Sequence, residues 1–436
     1  MRKLIIAFFT GVVCVVSIKA QTGWTWTELN TMPKRVSNNA VVEGFVGNDA
    51  FVFSFSGIDS TKSHQGINLG SYKYDVTNGN WETIANLPDT MGKIAAGASL
   101  VNGKIYIIGG YHVLANGGEV SSNKVHIYNP ATNSYEADGA PIPLAIDDQV
   151  QCVWRDSLIF VVTGWSNTGN KKDVQIYNTY TNTWQAGTDL PYNNDFLAFG
   201  ASGTIIGDTI IYNGGVKGGT VWASVAKTRI GIIDPNNPTQ IAWSLADDNP
   251  GAAGYRMACS YHENRAFWVG GAGTAYNYDG LAYSNGAGVE PLERILQFKN
   301  DTYLYDEGLG TPYGVMDFRG IAKISDTKWI ICGGMESGQT VTNKTFLLEI
   351  DPVIAGLEEK DLDLSIFPNP AVDVISFTEN KNGSSYVITD MQGRKVKKGL
   401  LRNNSIEISE MISGNYILII NNDSDEIIAR TRFVKN

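Results

Sequence analysis

The residues of this chain that could do chemistry are charged residues that come shortly after a repeated motif. In this motif an aromatic residue lies seven positions before a proline. Between residues 81 and 312, four segments place a Trp or Tyr seven residues before a Pro, and a looser version starts at Tyr135 and ends at Pro141 or Pro143. The four pairs are Trp81 and Pro88, Trp184 and Pro191, Trp243 and Pro250, and Tyr305 and Pro312. Charged residues follow these prolines and Pro33: Arg35, Lys93, Asp147, Asp148, Asp195, Arg256 and Arg319.

Cations mixed with carboxylates could bind an anionic or polyhydroxyl ligand, because the two-pronged Arg guanidinium matches a carboxylate. A carboxylate beside an Arg could also act as a general acid or base on a sugar acid. Asp195 or Asp148 beside Arg256 or Arg319 is the pair expected to do so. The same seven residues could instead form an ion-pair network that satisfies itself, and the sequence leaves both interpretations open.

Several other kinds of site are not indicated. The four His residues lack the close pairing of a zinc motif. The sequence has no GxSxG nucleophile elbow, phosphate-binding loop or catalytic Cys signature, and GGAGTAYNYDG at 270–280 is not followed by a helical pattern. We therefore expect no metal and no cofactor. Cys152, Cys259 and Cys332 lie among apolar neighbours, which predicts buried thiols and no disulfide framework.

The amino terminus has the pattern of a secretory signal peptide. Arg2 and Lys3 precede an apolar run from Leu4 to Ile18, and we expect cleavage after Ala20. No segment is long and apolar enough to predict a membrane span. Asp and Glu number 44 against 34 Lys and Arg, three of which lie in the predicted signal peptide or at its end. This acidic balance argues against a nucleic-acid partner.

The elements that must position the charged residues form a repeat. A glycine follows an apolar strand-like run at six positions: Gly57, Gly110, Gly164, Gly215, Gly271 and Gly334. Each of these glycines is preceded by a hairpin pattern with a short polar turn, and each is followed by a further strand pattern. This spacing, near 50 residues, predicts a six-bladed β-propeller. The sixth repeat lacks its outer strand, and Trp26, seven residues before Pro33, predicts that an N-terminal strand closes the ring.

The glycine pairs, the spaced aromatics and Leu87-Pro88 and Leu190-Pro191 resemble kelch repeats, over roughly residues 24–351. The resemblance implies structural roles for the glycines and aromatics. It places the charged residues at the channel mouth, with His64, His112, Trp165, Lys217 and Trp222 as possible rim contacts. Galactose oxidase also has a kelch propeller, but its copper site needs two His, two Tyr and a cross-linking Cys, and that set cannot be assembled here.

The repeat stops near residue 351, and seven short strand patterns over residues 364–436 predict a small immunoglobulin-like β-sandwich. Four motifs resemble, in order, the type A sorting domain of type IX secretion substrates in Bacteroidetes. They are Phe367-Pro368-Asn369-Pro370-Ala371, ITDMQGRKV at 388–396, SGNYIL at 413–418 and the basic end Arg432-Phe433-Val434-Lys435. The resemblance implies export, recognition at the outer membrane by the type IX secretion machinery, and release or surface attachment.

The sequence thus predicts an all-β chain with a signal peptide at 1–20, a kelch propeller at 21–351, a linker at 352–363 and a sorting domain at 364–436. Two functions are open. The first is a secreted or cell-surface module that binds a glycan or a protein without catalysis. The alternative is an exported enzyme similar to the sialic acid mutarotases (N-acetylneuraminate epimerases), which also have kelch propellers. Fold alone does not decide between them.

Overall fold

The computed structural model describes residues 23–218, 222–306, 311–350, 366–377, 383–390, 395–422 and 427–436. The chain divides into two compact units, Met1–Asp351 and Pro352–Asn436. The predicted signal peptide and linker lie outside the described residues. None of the helices in the described ranges is long and apolar enough to cross a membrane.

The first unit contains six successive antiparallel sheets of four main strands, which we call blades 1 to 6. Blade 1 consists of Ala40–Val46, Asp49–Ile58, Ile67–Asp75 and Asn80–Ile84. Blade 2 consists of Ile94–Val101, Lys104–Val113, Val125–Asn129 and Ser134–Tyr135. Blade 3 consists of Val150–Trp154, Leu158–Val162, Val174–Asn178 and Thr183–Ala186.

Blades 4 and 5 repeat this order of strands. Blade 4 consists of Phe199–Ile206, Thr209–Lys217, Thr228–Asp234 and Asn237–Leu245. Blade 5 consists of Ala258–His262, Arg265–Val269, Ile295–Lys299 and Tyr305–Asp306. Blade 6 contains Ala322–Ser325, Lys328–Cys332 and Thr345–Ile350, with Trp24–Leu29 as its outer strand.

The pairing of the two ends closes the ring as the sequence predicts. Trp26 lies opposite Leu348 in an antiparallel register that extends from Trp24 and Ile350 to Leu29 and Thr345. Arg319–Gly320 also pairs in parallel with the first strand of blade 1. The first strand of each blade packs against that of the next, so the six sheets form a propeller.

Short elements decorate the loops between second and third strands. They are the strands Glu119–Ser121, Trp165–Ser166, Gly169–Asn170, Ala223–Ser224, Met335–Glu336 and Thr340–Val341, and the 3-10 helices His64–Gly66 and Ser337–Gln339. Because these loops lie at the same end of every blade, they gather on one face of the propeller together with the loops that connect successive blades. We call this the loop face.

The spacing between the outer-strand Trp and the following Pro has a structural cause. The indole N–H of Trp81 donates to the carbonyl of Asn30, that of Trp184 to Ala140, and that of Trp243 to Thr188. Each acceptor lies just after the outer strand of the preceding blade. The repeated Trp therefore fastens each of these blades to its neighbour, and it belongs to the scaffold.

The glycine pairs allow a close approach of neighbouring backbones. Gly109 and Gly110 have φ of 68° and 83°. A Cβ on Gly109 would lie 2.4 Å from the carbonyl oxygen of Ile146, in the loop that leads to blade 3. Glycine is required here because both the backbone conformation and the contact exclude a side chain.

The second unit is a β-sandwich. One sheet contains Ile366–Phe367, Val374–Phe377 and Ser405–Glu407, and the other contains Lys395–Leu400, Ser385–Asp390, Gly414–Asn421 and Ile427–Lys435. The two sheets share one core, which includes Ile375 and Ile406 from the first sheet and Ile388, Leu418 and Phe433 from the second.

Candidate functional site

Six equivalent turns on the loop face form a ring of hydrogen bonds around the propeller axis. Their central residues all have positive φ, between 48° and 68°: Asn38, Ala95, Asp148, Gly200, Arg256 and Asp317. A non-glycine residue pays on the order of 1–2 kcal/mol for this conformation. The N–H of five of these residues, and that of Phe318 next to Asp317, donates toward the preceding blade.

The hydrogen bonds pass from blade to blade without a break. The N–H groups of Asp148, Gly200 and Arg256 donate to the carbonyls of Ala95, Asp148 and Gly200, over 3.1, 2.8 and 2.8 Å. Phe318 N–H donates to Arg256, and Asn38 N–H donates to Asp317. The sixth link is made by a side chain, because Ala95 N–H donates to Asn38 Oδ1 over 2.7 Å. The ring fixes the backbone from which the charged side chains project.

An ion-pair network lies at the centre of this ring. Arg256 donates to both carboxylate oxygens of Asp148, Nε to Oδ1 over 3.1 Å and Nη2 to Oδ2 over 2.6 Å, and its Nη1 donates to Asp317 Oδ1 over 3.0 Å. Arg319 Nη1 lies 3.4 Å from Asp148 Oδ1. Ser37 and Asn38 donate to Asp317 as well. Two Arg and two Asp side chains thus balance one another's charge. This corresponds to the ion-pair network that the sequence left open beside a ligand site.

Burial decides the electrostatics of the network. Desolvation alone would lower the pKa of Arg256, but Asp148, Asp317 and nearby tyrosines hold that pKa well above its usual range. Burial raises the pKa of Asp317 against the opposing effect of Arg256, and it lowers the pKa of Arg319. Burial and the charge of Asp148 raise the pKa of Asp147 well above its usual range.

An insertion between the second and third strands of blade 5, at residues 272–293, covers the network on the loop face. Ala272 pairs with Tyr255 beside the ring, and the chain returns to the blade through Pro291. Tyr276 is fully buried, its hydroxyl donates to Asp317 Oδ1 over 3.4 Å, and its ring lies 5.0 Å from that of Tyr255. The insertion extends to the opposite blades, because Tyr278 packs against the apolar cluster that contains Ile58 and Ile94. Arg256 is consequently 1% exposed.

Three partly exposed aromatic rings lie on the loop face next to this insertion, and we call them the aromatic patch. The ring of Trp222 lies 5.0 Å from Trp165 and 5.0 Å from Tyr283, and all three pack on the buried ring of Phe199. They project from blades 3, 4 and 5. The patch is therefore built by three different loops on a shared apolar base.

Polar groups border the aromatic patch. Asn170 lies opposite Trp165 in a short ribbon, and its Nδ2 donates to Val216, the residue paired with Ser224. Within the described residues, the buried Asn170 Oδ1 and Ser224 Oγ have no hydrogen-bond partner. The Trp165 ribbon is tied to blade 2 by the Ser121 hydroxyl, which donates to Asp147 and accepts from the Asn167 N–H. The patch thus combines apolar rings with unused polar atoms.

The structure brings together four of the seven charged residues singled out from the sequence: Asp147, Asp148, Arg256 and Arg319. The remaining three do not join them. Lys93 is buried within blade 2, with its ammonium 2.6 Å from Asp89 and 3.2 Å from His126. Arg35 is exposed and donates to the Val341 carbonyl, and Asp195 is exposed and engages Arg229 through its backbone oxygen.

Of the five suggested rim residues, Trp165 and Trp222 belong to the aromatic patch. Sequence reasoning missed Asp317 and Asn38. They occupy, before blades 6 and 1, the turn position that Asp148 occupies before blade 3. The sequence signal that could have found them is an Asn, Asp or Gly just before the first strand of a blade, because these residues tolerate positive φ. Tyr276 was missed because the insertion has no counterpart in the other blades.

Comparison with known proteins identifies both units. The family described as "Secretion system C-terminal sorting domain" matches residues 365–435, and the kelch motif family matches residues 95–137. A solved structure entitled "Structure of YjhT" has a TM-score of 0.57 and 16% identity, covering 73% of this chain and 95% of the other. At that identity the likeness shows the fold alone. No curated protein sequence matches. The chain is a kelch-type propeller with a sorting domain that marks it for export.

Proposed function

We propose that this exported kelch propeller is a recognition protein that binds a glycan through the aromatic patch, outside the cell or on its surface. The observation that carries the proposal is the cluster of Trp165, Trp222 and Tyr283, whose partly exposed rings lie on the loop face. Large aromatic rings provide apolar contact area, while Trp and Tyr retain a polar edge for hydrogen bonding. Such surfaces suit the apolar faces and hydroxyl edges of sugars.

The polar border supports a hydroxyl-rich ligand over an apolar one. Asn170 Oδ1 and Ser224 Oγ, both buried at the border of the patch, have no hydrogen-bond partner among the described residues, and a site with a few placed polar atoms among apolar rings is typical of small-molecule recognition. Glu119 lies near the patch, and partial burial raises its pKa. The patch thus offers apolar area and hydrogen-bond acceptors together.

The ion-pair network fits this proposal better than it fits catalysis. Arg256 already directs Nε, Nη1 and Nη2 at Asp148 and Asp317, beneath the blade 5 insertion. A substrate carboxylate would have to displace one of these partners. The network therefore supports the loops of the patch.

Glycan-array binding tests the proposal. We expect the full mature chain to bind a subset of glycans and Trp222→Ala to lower that binding at least tenfold. Tyr180→Ala is the matched control, because Tyr180 is exposed in the turn between the third and fourth strands of blade 3. Equal glycan binding by the wild type and Trp222→Ala would remove the patch from the function.

A second candidate is a sugar-acid epimerase of the sialic acid mutarotase kind. Asp147 favours it, since burial raises the pKa of this carboxyl and Arg256 lies near enough to oppose that effect. A carboxyl with a raised pKa close to an Arg is the kind of group that such acid–base chemistry uses. Anomer exchange of N-acetylneuraminic acid, followed by NMR, tests this candidate, and exchange no faster than in buffer rules it out.

A further inference from the structure

A cavity of about 570 Å³ lies along the propeller axis beneath the ion-pair network. Its walls are the first strands of blades 1 to 5 and residues 319–323. Arg319 and Gln149 line its inner end next to the network, and Arg155 and Asp156, in the hairpin turn of blade 3, line its other end. None of the residues of the blade 5 insertion lines this cavity. It therefore opens on the face opposite the aromatic patch.

Two buried polar atoms lack partners at the inner end. Arg319 Nη2 donates to the Gln149 carbonyl over 2.7 Å, and Gln149 Nε2 donates to the Ile108 carbonyl over 2.9 Å. These contacts hold both side chains in place. Arg319 is 8% and Gln149 1% exposed, yet Arg319 Nε and Gln149 Oε1 have no hydrogen-bond partner in the described part of the chain. One is a donor and the other is an acceptor.

This pair of atoms indicates the chemistry of an occupant. Buried polar groups in proteins are nearly always hydrogen-bonded, so an unmatched donor and acceptor in a cavity wall call for a ligand group that supplies both roles. A hydroxyl accepts from Arg Nε–H and donates to Gln Oε1. An anion could accept the hydrogen bond from Arg319 Nε–H, but it has no proton to donate to Gln149 Oε1.

The charges at the inner end also favour an uncharged occupant. Asp148 and Asp317 already balance Arg256 and Arg319. Glu43 lines the wall, where its Oε2 accepts the N–H of Lys323 over 2.9 Å. Lys323 and Arg155, the other cations in the wall, are paired with Asp326 and Asp208, so an added negative charge would meet Glu43 without an unpaired cation among the lining residues.

The rest of the wall suits further hydroxyls. The cavity is lined by Ser99, Ser202, Ser260 and the Gln151 amide. The Ser202 hydroxyl donates to the Met257 carbonyl, and those of Ser99 and Ser260 accept from Gln151 and Trp329. Each hydroxyl oxygen retains unused hydrogen-bonding capacity. The cavity volume lies within the range of roughly 300–1,000 Å³ that is usual for small-molecule sites.

We propose that this axial cavity binds an uncharged polyhydroxyl molecule of monosaccharide size, whose hydroxyls accept from Arg319 Nε and donate to Gln149 Oε1. The ligand enters from the face that carries the Arg155 turn. This site is separate from the aromatic patch, and it stands whether or not the patch binds glycans.

Saturation-transfer NMR on the full mature chain tests the proposal with D-glucose, D-galactose and myo-inositol as probes and D-glucuronate as their charged counterpart. We expect transfer to at least one neutral probe and weaker transfer to glucuronate. Gln149→Leu should lower the affinity for that probe at least tenfold. Gln185→Leu makes the same change on the exposed outer strand of blade 3 and should leave the affinity unchanged.

If Gln149→Leu does not fold, Ser202→Ala decides instead, because it removes one wall hydroxyl without added bulk and should lower the affinity severalfold. The proposal is overturned by transfer to none of the neutral probes, by stronger transfer to glucuronate, or by full affinity in the folded cavity variants. A signal that Trp222→Ala removes and Gln149→Leu leaves intact belongs to the aromatic patch, and it would also overturn the proposal. Loss of glycan-array binding alone concerns only the patch.

Discussion

Arg256 and Asp148 are 108 residues apart in sequence and form a two-pronged ion pair at the axis of the propeller. Arg256→Met should lower the free energy of unfolding by about 3–5 kcal/mol, because it leaves the buried Asp317 without its cation and Asp148 with Arg319 alone. Urea denaturation followed by tryptophan fluorescence measures this loss.

Lys172→Met provides the comparison, since it breaks the exposed pair of Lys172 with Asp189 and should not change stability measurably. Equal stability of the Arg256→Met and Lys172→Met variants would show that the network does not hold the blades together.

The N-terminal strand contains two tryptophans in different surroundings. Trp24 is buried, with its ring 4.9 Å from Phe267 and 5.4 Å from Trp329, whereas Trp26 is partly exposed. Trp24→Ala should destabilise the propeller by about 3–5 kcal/mol, and Trp26→Ala by clearly less. Thermal unfolding of the two variants checks the order, and a larger loss from Trp26→Ala would contradict the role assigned to the buried ring.

A pair of glycines in blade 2 separates backbone strain from steric contact. Gly103 has φ of 72° with open space around its Cβ direction, whereas a Cβ on Gly110, with φ of 83°, would lie 2.6 Å from the Ile94 oxygen. Gly103→Ala should cost on the order of 1–2 kcal/mol, and Gly110→Ala about 1–3 kcal/mol more, because the contact adds to the strain. Equal costs in chemical denaturation would mean that the close approach is relieved elsewhere.

Acid sensitivity should depend on Asp89. Burial acts to raise its pKa, but hydrogen bonds from His126 and Lys93 and the charge of Lys93 hold the pKa well below its usual value. The folded state therefore binds a proton at Asp89 less readily than the unfolded state does. The resulting stability is complete above the unfolded pKa, near 3.9, and is lost as the pH falls below it.

Asp89→Asn should accordingly flatten the decrease in stability between about pH 5 and pH 3. Urea denaturation midpoints across this range measure the slope. Asp156→Asn, at an exposed hairpin turn, should leave the slope unchanged, and an unaltered slope in Asp89→Asn would show that Asp89 does not control the acid response.

The blades could be predicted from the sequence because their signals are local. Glycine pairs such as Gly109 and Gly110 are fixed by positive φ and close contacts, and Trp81, Trp184 and Trp243 each bond the preceding blade. The missing outer strand of blade 6 had one candidate replacement, around Trp26. These features repeat, so each blade supports the assignment of the others.

The candidate site was only partly predictable, for physical reasons. The distance from proline to ring turn varies between blades, so counting from Pro88 selected Lys93, whereas Ala95 occupies the ring position and Lys93 faces Asp89. Asp317 was passed over for Arg319, two residues further along. The contacts of Tyr276 join blade 5 to the network across the axis, and no repeat pattern encodes them.

The pairing of Trp24–Leu29 with Thr345–Ile350 also governs the order in which the propeller can be completed. The strand Trp24–Leu29 has no partner until more than 300 further residues have been made, so the ring closes only after synthesis of both strands. Contacts so distant in sequence form slowly. The ring is therefore completed late, after the strands of blades 1 to 5 can already pair within their own sheets.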